Sequence, residues 1–442
     1  MNMYSYTNLT KLLSLTVLLF LYPGIEVSAQ TPITLEQAIE MARQSNRSIQ
    51  LADQTTAIKR ATLEQSKAHF LPYFGVQLTD LATNNPLNVF GFKLMQEDVK
   101  QSDFAPDLLN DPDVRNNFNL SLNAMMTLYN PEARAEQDAV KAQIKMSEAM
   151  AHRVADGIQL EVIKAYYALL LTQHTVEVLE NTYAASQANY EIVDNYFNQG
   201  LMLKSDLLDM QIMVNQSELS LGTAQMKVAN AQSYFNHILN TSEYTEYLPT
   251  DELRDKEELL IAEGNLNPER ADFKAMQYGI SALENMAEAA DKSNRPKLNV
   301  FSSYALNDEI PFDNRATNFQ IGLSVGWDIY KGNLRKSTLQ KTNAEINEQQ
   351  LALEQKLAEA ELEILNTQRA IEDINSQIEL HELSIEQAEE ALKIRKNRFA
   401  QGLEKSTDII NAETQLSHKK LARLSSLFEL NMKNAYLKFL LN

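Results

Sequence analysis

The sequence predicts a mainly α-helical protein with a small β element, in which one succession of elements occurs twice. An alternating, strand-like segment at residues 118–129 recurs about 201 residues later, at residues 319–330. In both copies about seventy helix-compatible residues and a Phe-x-x-Gly-Leu turn follow. Glycine and proline number only 12 and 11 in 442 residues, which leaves few positions that break helices. We therefore expect long helices that pair as antiparallel coiled coils.

The charge balance of the chain argues against one class of partner. Acidic residues number 59 and basic residues 40, for a formal net charge of -19. Binding to nucleic acid depends on clustered Lys and Arg, so no nucleic-acid partner is expected. Cysteine is absent, which excludes a disulfide framework and a thiolate metal site.

Residues 1–29 have the pattern of a secretory signal peptide. Lys11 precedes a ten-residue apolar run at positions 12–21, a Pro-Gly pair and a small-residue cleavage site at positions 27–29. A membrane-spanning helix needs about 20 apolar residues, so a membrane anchor is the weaker alternative. We expect the mature chain to begin at Gln30 and any membrane contact to come from strands.

Each repeat is expected to run helix, strand, loop, strand, long helix, glycine turn and return helix. Thr34 begins the first helix with a capping-box spacing to Gln37, and this helix is expected to continue to about His69. The corresponding helix of the second repeat begins at Asn267, with proline at its first helical position.

The element boundaries follow from these signals. The first repeat covers residues 30–240, with a strand hairpin at 73–129, a long helix at 131–199 and a return helix at 203–240. The second covers residues 267–442, with a strand hairpin at 297–330, a long helix at 333–401 and a return helix at 404–441. Residues 241–266 lie between the repeats and are expected to form either a linker or, as the family resemblance described below implies, an equatorial segment.

Alternation of apolar and polar residues marks the strands. Apolar side chains occupy every second position of residues 118–128 and 319–329. Eleven residues of such alternation are enough for a tilted strand to cross a bilayer. The aromatic residues that fit an interfacial membrane girdle are Trp327, Tyr330, Tyr304 and Tyr129. The alternative is a half-buried sheet in a soluble protein.

The number of strands constrains the assembly. Four strands per chain cannot close a membrane barrel, because an open edge in lipid leaves unpaired amides that cost several kcal/mol each. Two chains supply 8 strands with a closed interior, and three supply 12 with a lumen, so a conducting pore favours three. The expected fold is a trimeric α-barrel topped by a shared 12-stranded transmembrane β-barrel that contacts membrane lipid.

The two long helices, of about 69 residues each, extend roughly 100 Å at 1.5 Å per residue. A small globular core cannot bury helices of this length. Apolar residues at heptad spacing instead form a coiled-coil seam in the second copy: Ile364, Ile371, Ile374, Ile378, Ile385, Ala388 and Leu392. The return helices run antiparallel to the long ones, which predicts a tall helical cylinder below the barrel.

Together these features resemble the TolC family of outer-membrane efflux and secretion channels. The likeness covers nearly all of the mature sequence and includes the duplication, the strand pairs, the two Phe-x-x-Gly-Leu turns and the junction Ile329-Tyr330-Lys331-Gly332-Asn333-Leu334-Arg335. The resemblance implies a homotrimer in the outer membrane with a periplasmic helical tunnel. It also implies a passive exit duct that works with a periplasmic adaptor (membrane fusion) protein and an inner-membrane RND, ABC or MFS transporter, in efflux or type I secretion.

The resemblance assigns the residues of the family's entrance gate to particular positions of this chain. In such channels acidic residues after the glycine turns ring the periplasmic opening. Asp206 and Asp408 each lie six residues after the glycines Gly200 and Gly402, and they match this pattern.

Three neighbouring positions depart from the family pattern. Asn411 stands where the family has a further acid, Phe399 where it has a tyrosine, and Glu404 where it has a basic residue. These departures predict that the ion-pair and hydroxyl latch of the family is replaced or absent.

The turn residues also have a plainer interpretation as helix caps. The glycines of both turns suit the left-handed backbone after a helix C-terminus. Ser205 and Thr407, with the aspartates that follow them, suit the start of the return helices, where polar side chains accept hydrogen bonds from free amides. Capping is favoured over gating as the primary role, although one aspartate can do both.

No sequence feature indicates catalysis, a cofactor or a metal site. The six histidines lie singly in helical patterns, without a phosphate-binding loop or a nucleophile motif. The 15 methionines suggest copper efflux, but helix-periodic methionine is more often core packing.

Two functions from different classes therefore remain. The first is the channel, and the second is a periplasmic coiled-coil adaptor or scaffold with a soluble sheet. The alternation at residues 319–329 favours the channel, because a scaffold has little use for an apolar face edged by aromatic residues. The first external loop is 23 residues longer than the second, and it is either a lid over the pore mouth or, as is more usual, a variable surface loop.

Overall fold

The computed structural model of the chain describes residues 31–241, 243–253, 266–311, 313 and 316–442. The predicted signal peptide and residues 254–265 of the predicted equatorial segment lie outside the described residues. The chain divides into two compact units. The first comprises Met1–Asn46, Ile158–Leu260 and Arg369–Tyr436, and the second comprises Arg47–Gly157, Ile261–Gln368 and Leu437–Asn442.

Long helices dominate the described residues, and they follow the predicted order. The α-helices are α1 Leu35–Ser45, α2 Arg47–Lys67, α3 Pro86–Met95, α4 Pro106–Asn110, α5 Pro131–Asn198, α6 Lys204–Leu239, α7 Ala271–Lys292, α8 Leu334–Ala400 and α9 Ser406–Leu441. Short 3₁₀ turns occur at Ala68–Phe70 and Gln101–Phe104. Four of the seven predicted seam residues, Ile364, Ile371, Ile374 and Ile378, are buried.

The strands form two sheets within the described residues. They are β1 Thr31–Ile33, β2 Tyr73–Thr83, β3 Arg115–Tyr129, β4 Tyr247–Pro249, β5 Lys297–Asp308 and β6 Ala316–Gly326. The larger sheet has the order β2-β3-β5-β6 and is antiparallel throughout. The smaller sheet pairs β1 with β4 in parallel.

The first helix differs from its prediction, because it is broken at Asn46. The sequence predicts one helix to about His69, whereas Asn46 adopts extended backbone between α1 and α2. Its side-chain amide donates to the carbonyl of Ile238 at 2.9 Å. The amide of Asn240 donates in turn to the carbonyl of Ser45 at 2.8 Å. These contacts between the ends of α1 and α6 supply partners that a continuous helix would not offer, and they are invisible in local sequence patterns.

The sheet of β1 and β4 was not predicted, and a buried tyrosine holds it. The Tyr166 hydroxyl lies 2.5 Å from a carboxylate oxygen of Asp251, and it accepts the backbone N–H of Thr250 at 3.1 Å. The same Asp251 oxygen accepts the N–H of Leu35 at the start of α1. Burial, followed by the hydrogen bond to Asp251, raises the pKa of Tyr166 to about 12. Residues 243–253 are thus bound to α1 and α5 by a neutral phenol that stays protonated at physiological pH.

The second unit contains a buried ionic cluster at the start of α7. Arg270, which is 2% exposed, donates to both carboxylate oxygens of Asp272 at 2.7 and 2.8 Å and to the carbonyl of Leu440 at 2.8 Å. Burial alone would raise the pKa of Asp272, but the hydrogen bond from Arg270 and the charges of Arg270 and Arg153 outweigh it and hold this pKa below its ordinary value. The guanidinium of Arg270, which is paired with Asp272, thereby anchors the last turn of α9.

The strand of the second hairpin ends earlier than predicted. Residues 327–330 were expected to continue the hairpin, but β6 ends at Gly326. Trp327 lies outside the sheet, and its indole N–H donates a hydrogen bond to the carbonyl of Asn294 at 2.8 Å. Within the part of the chain that the structure describes, none of the helices is both long and apolar enough to span a membrane.

Candidate functional site

One face of the larger sheet is largely apolar across all four strands, with Asp80 and Asp308 in the row nearest the loops. Val76, Leu122, Tyr304 and Phe319 are paired in register and form a single row across it. Further members of this face are Phe74, Leu78, Phe118, Leu120, Val300, Leu306, Ile321, Leu323 and Val325. Val76 and Phe319 are 73% and 76% exposed. A continuous, exposed apolar face of this size marks a surface for lipid or for another protein.

The opposite face of the same sheet is polar in its central and loop-side rows, whereas the four-strand row nearest the helices consists of Tyr73, Met125, Phe301 and Gly322. Gln77, Ser121, Ala305 and Asn318 form one row across the strands. The next row towards the helices is Gly75, Asn123, Ser303 and Gln320, and the row towards the loops is Thr79, Asn119, Asn307 and Ala316. A sheet that is apolar on one face and amide-rich on the other suits a wall between lipid and water.

The predicted girdle residues lie at two levels of this sheet. Tyr129 ends β3, and Trp327 and Tyr330 follow β6, so these three lie at the edge next to the long helices. Tyr304 lies on the apolar face, four residues from the loop end of β5. All four aromatic side chains are exposed.

The second candidate site is the pair of turns that end the long helices. Gly200 and Gly402 both have φ of +71°, in the left-handed region. The N–H of Gly200 bonds to the carbonyl of Phe197, and that of Leu201 bonds to Tyr196, both at 2.9 Å. The second turn repeats this Schellman pattern with Gly402.

The predicted caps of the return helices need a correction. Ser205 is already the second residue of α6, and Thr407 is the second residue of α9, so neither holds the cap position. The two aspartates supply the capping bonds instead. The carboxylate of Asp206 accepts the N–H of Leu203 at 3.2 Å, and that of Asp408 accepts the N–H of Lys405 at 3.3 Å.

The gate candidates fall into separate environments. The hydroxyl of Ser406 lies 3.5 Å from a carboxylate oxygen of Asp206, which joins the starts of α6 and α9. Asn411 is exposed on α9. Asp408 lies 3.9 Å from Arg395. The structure therefore brings Asp206 and Asp408 to the same end of the two helix pairs, with Asn411 about one turn further along α9.

Phe399 belongs to an apolar cluster, which we call the tip cluster. Its buried members are Val193, Met210, Phe399 and Ile409, and its partly buried members are Tyr190, Tyr196, Met202, Leu207, Leu392 and Ile410. The ring of Phe399 lies 6.2 Å from that of Tyr196, centroid to centroid. The cluster contains side chains of α5, α6, α8 and α9, so apolar packing connects both turns.

A comparison with protein families decides the identity. The model of the family described as "Outer membrane efflux protein" matches residues 38–241 and 265–438. The chain belongs to the outer membrane efflux protein family. The protein is therefore an outer-membrane efflux channel subunit, and the scaffold alternative is not supported.

Solved structures show the same fold. CusC is 16% identical with a TM-score of 0.77, and the match covers 92% of each chain. VceC of Vibrio cholerae is 17% identical with a TM-score of 0.73, covering 92% of this chain and 95% of that one. CmeC of Campylobacter jejuni is 14% identical with a TM-score of 0.74, covering 92% and 85%. A sequence comparison with curated proteins gives no match.

In this efflux channel subunit, sequence reasoning missed the partners of Glu404. Glu404 accepts from Arg395 at 2.8 Å and from Arg398 at 2.7 Å, and its side chain is only 14% exposed. Arg398 and Arg395 precede Gly402 by about one and two helical turns, so a search for opposite charges at i, i+6 or i, i+9 across the glycine would have found them. Among the described residues no group of three or more His, Asp and Glu is suited to hold a metal ion.

Proposed function

We propose that three copies of this chain form the exit duct of a tripartite efflux or secretion system. The observation that carries the proposal is the four-stranded sheet described above, with one apolar and one polar face. In the described residues its outer strands β2 and β6 each pair on one side only. An open edge in lipid costs several kcal/mol for each unpaired group, so the edges need strands from other copies.

Closure by three copies gives a barrel of 12 strands with a polar lumen and an apolar lipid-facing surface. A β6 of 11 residues is about 36 Å long, which at a tilt of roughly 45° spans about 25 Å of hydrocarbon. Trp327, Tyr330 and Tyr129 then lie at the periplasmic interface, and Tyr304 lies towards the outer one. The long helices α5 and α8, of 68 and 67 residues, are about 100 Å each and form the wall of the periplasmic tunnel.

The partners follow from the position of the turns. A passive duct needs an energised transporter of the RND, ABC or MFS class in the inner membrane and a periplasmic adaptor protein to connect the two. The turns at Gly200 and Gly402 end the helical part and are the contact region we assign to the adaptor. Their leucines, Leu201 and Leu403, are 69% and 63% exposed, which leaves apolar surface for a partner helix.

The entrance is proposed to be ringed by Asp206 and Asp408. Both carboxylates cap helices, and in a trimer they supply six acidic groups near one opening. A ring of carboxylates attracts cations and holds multivalent cations. Replacing both residues by Asn keeps the capping acceptor but removes the charge, so cation selectivity and block by trivalent cations should both fall. Unchanged selectivity would leave these residues with capping alone.

The proposal is tested on protein purified from outer membranes. We expect the mass in detergent to correspond to three chains and the protein to conduct ions in a planar bilayer. A monomer in detergent, or a trimer without conductance, would contradict the channel assembly. A matched variant, Val76→Asn with Phe319→Asn, places amides on the apolar face and should reduce membrane insertion, whereas Gln77→Ser on the polar face should not.

A further inference from the structure

The long connection between β2 and β3 is folded, and it covers the polar face of the sheet. Residues 84–114 of this connection, here called the cap segment, contain α3, a 3₁₀ turn and α4. The amide of Gln96 donates to the side chain of Asn117 at 3.0 Å and to the carbonyl of Asn116 at 2.8 Å. Asn117 lies on the polar face, in the same alternate set as Asn119 and Ser121. The cap segment is thus attached to the lumen side of the sheet.

The most buried residues at the loop end of the sheet lie on the same, polar face. Asn307 and Ala316, which are paired across β5 and β6 on the polar face, are 1% and 0% exposed. The helix α3 lies against both β3 and β6 and therefore crosses the loop end of β5 between them. Its side chains Val89 and Phe92 are buried. Part of the polar lining is consequently hidden beneath the cap segment.

The surface that replaces this lining is apolar. Leu87 and Leu94 lie two turns apart on the outer side of α3 and are 80% and 56% exposed. Phe104 is 59% exposed and packs edge-on against Phe90, with centroids 5.6 Å apart. Where the next two rows of this face present mainly amides and hydroxyls, the cap segment presents leucines and a phenylalanine.

Charged contacts hold the cap segment in this position. Arg115, whose side chain is 11% exposed, donates to Gln96 at 2.7 Å and to Asp98 at 2.8 Å. Lys93 donates to Asp103 at 2.7 Å. Such paired, part-buried groups favour one defined conformation of the segment over a mobile loop.

We propose that the cap segment is an apolar constriction inside the extracellular mouth, which restricts ion flow through the resting channel. The inference rests on the proposed trimer, in which three copies of the segment narrow one lumen. Apolar constrictions exclude water and ions by dewetting, at diameters where a polar lining would remain hydrated. In the proposed trimer the face of the segment turned away from the sheet is directed towards the lumen, so its apolar character acts on the conducting path.

The experiment compares single-channel conductance in planar bilayers. The double variant Leu87→Asn with Leu94→Asn should raise conductance or open time by roughly twofold or more, because a hydrated constriction conducts. The matched control Leu87→Met with Leu94→Met keeps the apolar surface and should behave as the unmodified protein. Equal conductance in all three proteins, or an equal rise in both variants, would overturn the constriction. If neither the unmodified protein nor either variant conducts, the channel proposal fails instead.

A second measurement does not depend on tolerance of the leucine variants. Since the chain has no cysteine, single cysteines report access without interference. Ala316→Cys lies beneath the cap segment, and Gln320→Cys lies uncovered on the same face of the same strand. A membrane-impermeant thiol reagent should modify the first roughly 10-fold more slowly than the second. Equal rates would show that the segment does not cover the lumen face, and would overturn the proposal while leaving the channel intact.

Discussion

The two turns at the ends of the long helices have the same backbone but are stabilised by different side chains. Both have a glycine at φ of +71° and the same Schellman hydrogen bonds. The turn at Gly402 is stabilised by ion pairs, in which Glu404 accepts hydrogen bonds from Arg395 and Arg398. The positions equivalent to these three in the first repeat are members of the tip cluster: Met202, Val193 and Tyr196. The duplication thus preserved the geometry of the turn and not the interactions that hold it.

The starts of the two repeats show the same contrast. In the first repeat α1 begins with a reciprocal capping box of Thr34 and Gln37. In the second repeat α7 begins at the buried pair of Arg270 and Asp272. Neutral capping is expected to be insensitive to acid and salt, whereas the ionic start depends on pH. Each half of the subunit should therefore respond to different conditions.

The largest expected effect comes from removing the aromatic ring at the centre of the tip cluster. Phe399→Ala leaves a cavity among Val193, Met210 and Ile409, which should cost about 3 kcal/mol of local stability. The equivalent Phe197 is only half-buried, so Phe197→Ala should cost about 1 kcal/mol. Hydrogen exchange of the turn peptides measures both costs. A greater loss for Phe197→Ala would mean that the cluster is not centred where the structure has it.

The next effect concerns acid at the start of α7. Because the pKa of Asp272 is lower in the folded protein than its ordinary value of 3.8, the pair with Arg270 stabilises the fold at pH values above that value. This contribution is lost as the pH falls through the folded pKa. Asp272→Asn should lower the free energy of unfolding by about 2 kcal/mol at pH 7 and by progressively less as the pH falls below 3.8. Thermal unfolding followed by circular dichroism over this range measures it.

The control for this prediction is the start of the first repeat. Thr34→Ala removes a neutral cap and should cost about 1 kcal/mol at every pH. A loss for Asp272→Asn that is also independent of pH would show that the carboxylate acts by shape and not by charge.

A smaller effect distinguishes the turn at Gly402, which is stabilised by ion pairs, from the turn at Gly200, where apolar side chains occupy the equivalent positions. Glu404→Gln weakens two charged hydrogen bonds to half-exposed arginines and should cost about 1 kcal/mol in low salt, falling towards zero near 1 M salt. Met202→Ala, at the equivalent position, should show a loss that salt does not reduce. Hydrogen exchange of residues 395–410 and 193–208 at two salt concentrations makes this comparison. Identical salt responses would contradict the difference between the turns.

The smallest effect tests what the turns share. A Cβ at Gly200 or Gly402 meets open space, so only the left-handed backbone opposes alanine there, and each substitution should cost about 1 kcal/mol or less. Gly222 also has open space but lies inside α6, without a positive φ, so Gly222→Ala should stabilise by about 0.5 to 1 kcal/mol. Melting temperatures of the three variants distinguish these signs. Unequal losses at Gly200 and Gly402 would mean that the turns differ in more than their side chains.

Periodicity in the sequence predicted most of the framework because periodicity reports on local geometry. The long helices differ from their predicted bounds by about one residue at either end, and the two return helices by at most two. Both strand hairpins were also expected from alternation. The predictions for Asp206 and Asp408 as gate residues remain predictions, since an isolated chain does not contain the opening they would surround.

The parts that could not be predicted depend on contacts between distant residues. The break at Asn46 requires the end of α6, about 192 residues away. The β1 and β4 pair joins three-residue segments that carry almost no pattern of their own. In the sequence the cap segment is recognisable only as a loop that is 23 residues longer than its counterpart, and nothing local shows which face of the sheet it covers.

By itself, the sequence determined the repeat, the lengths of the helices and the two-faced strands, because each follows from spacing between near neighbours. The tertiary structure alone decided how each turn is fastened, where the first helix breaks and that the cap segment folds onto the lumen side. Those outcomes depend on hydrogen bonds between groups that are distant in the sequence, such as Gln96 with Asn117 and Asn46 with Ile238. Such bonds stabilise the protein only after the fold has brought the partners together, so local sequence patterns do not predict them.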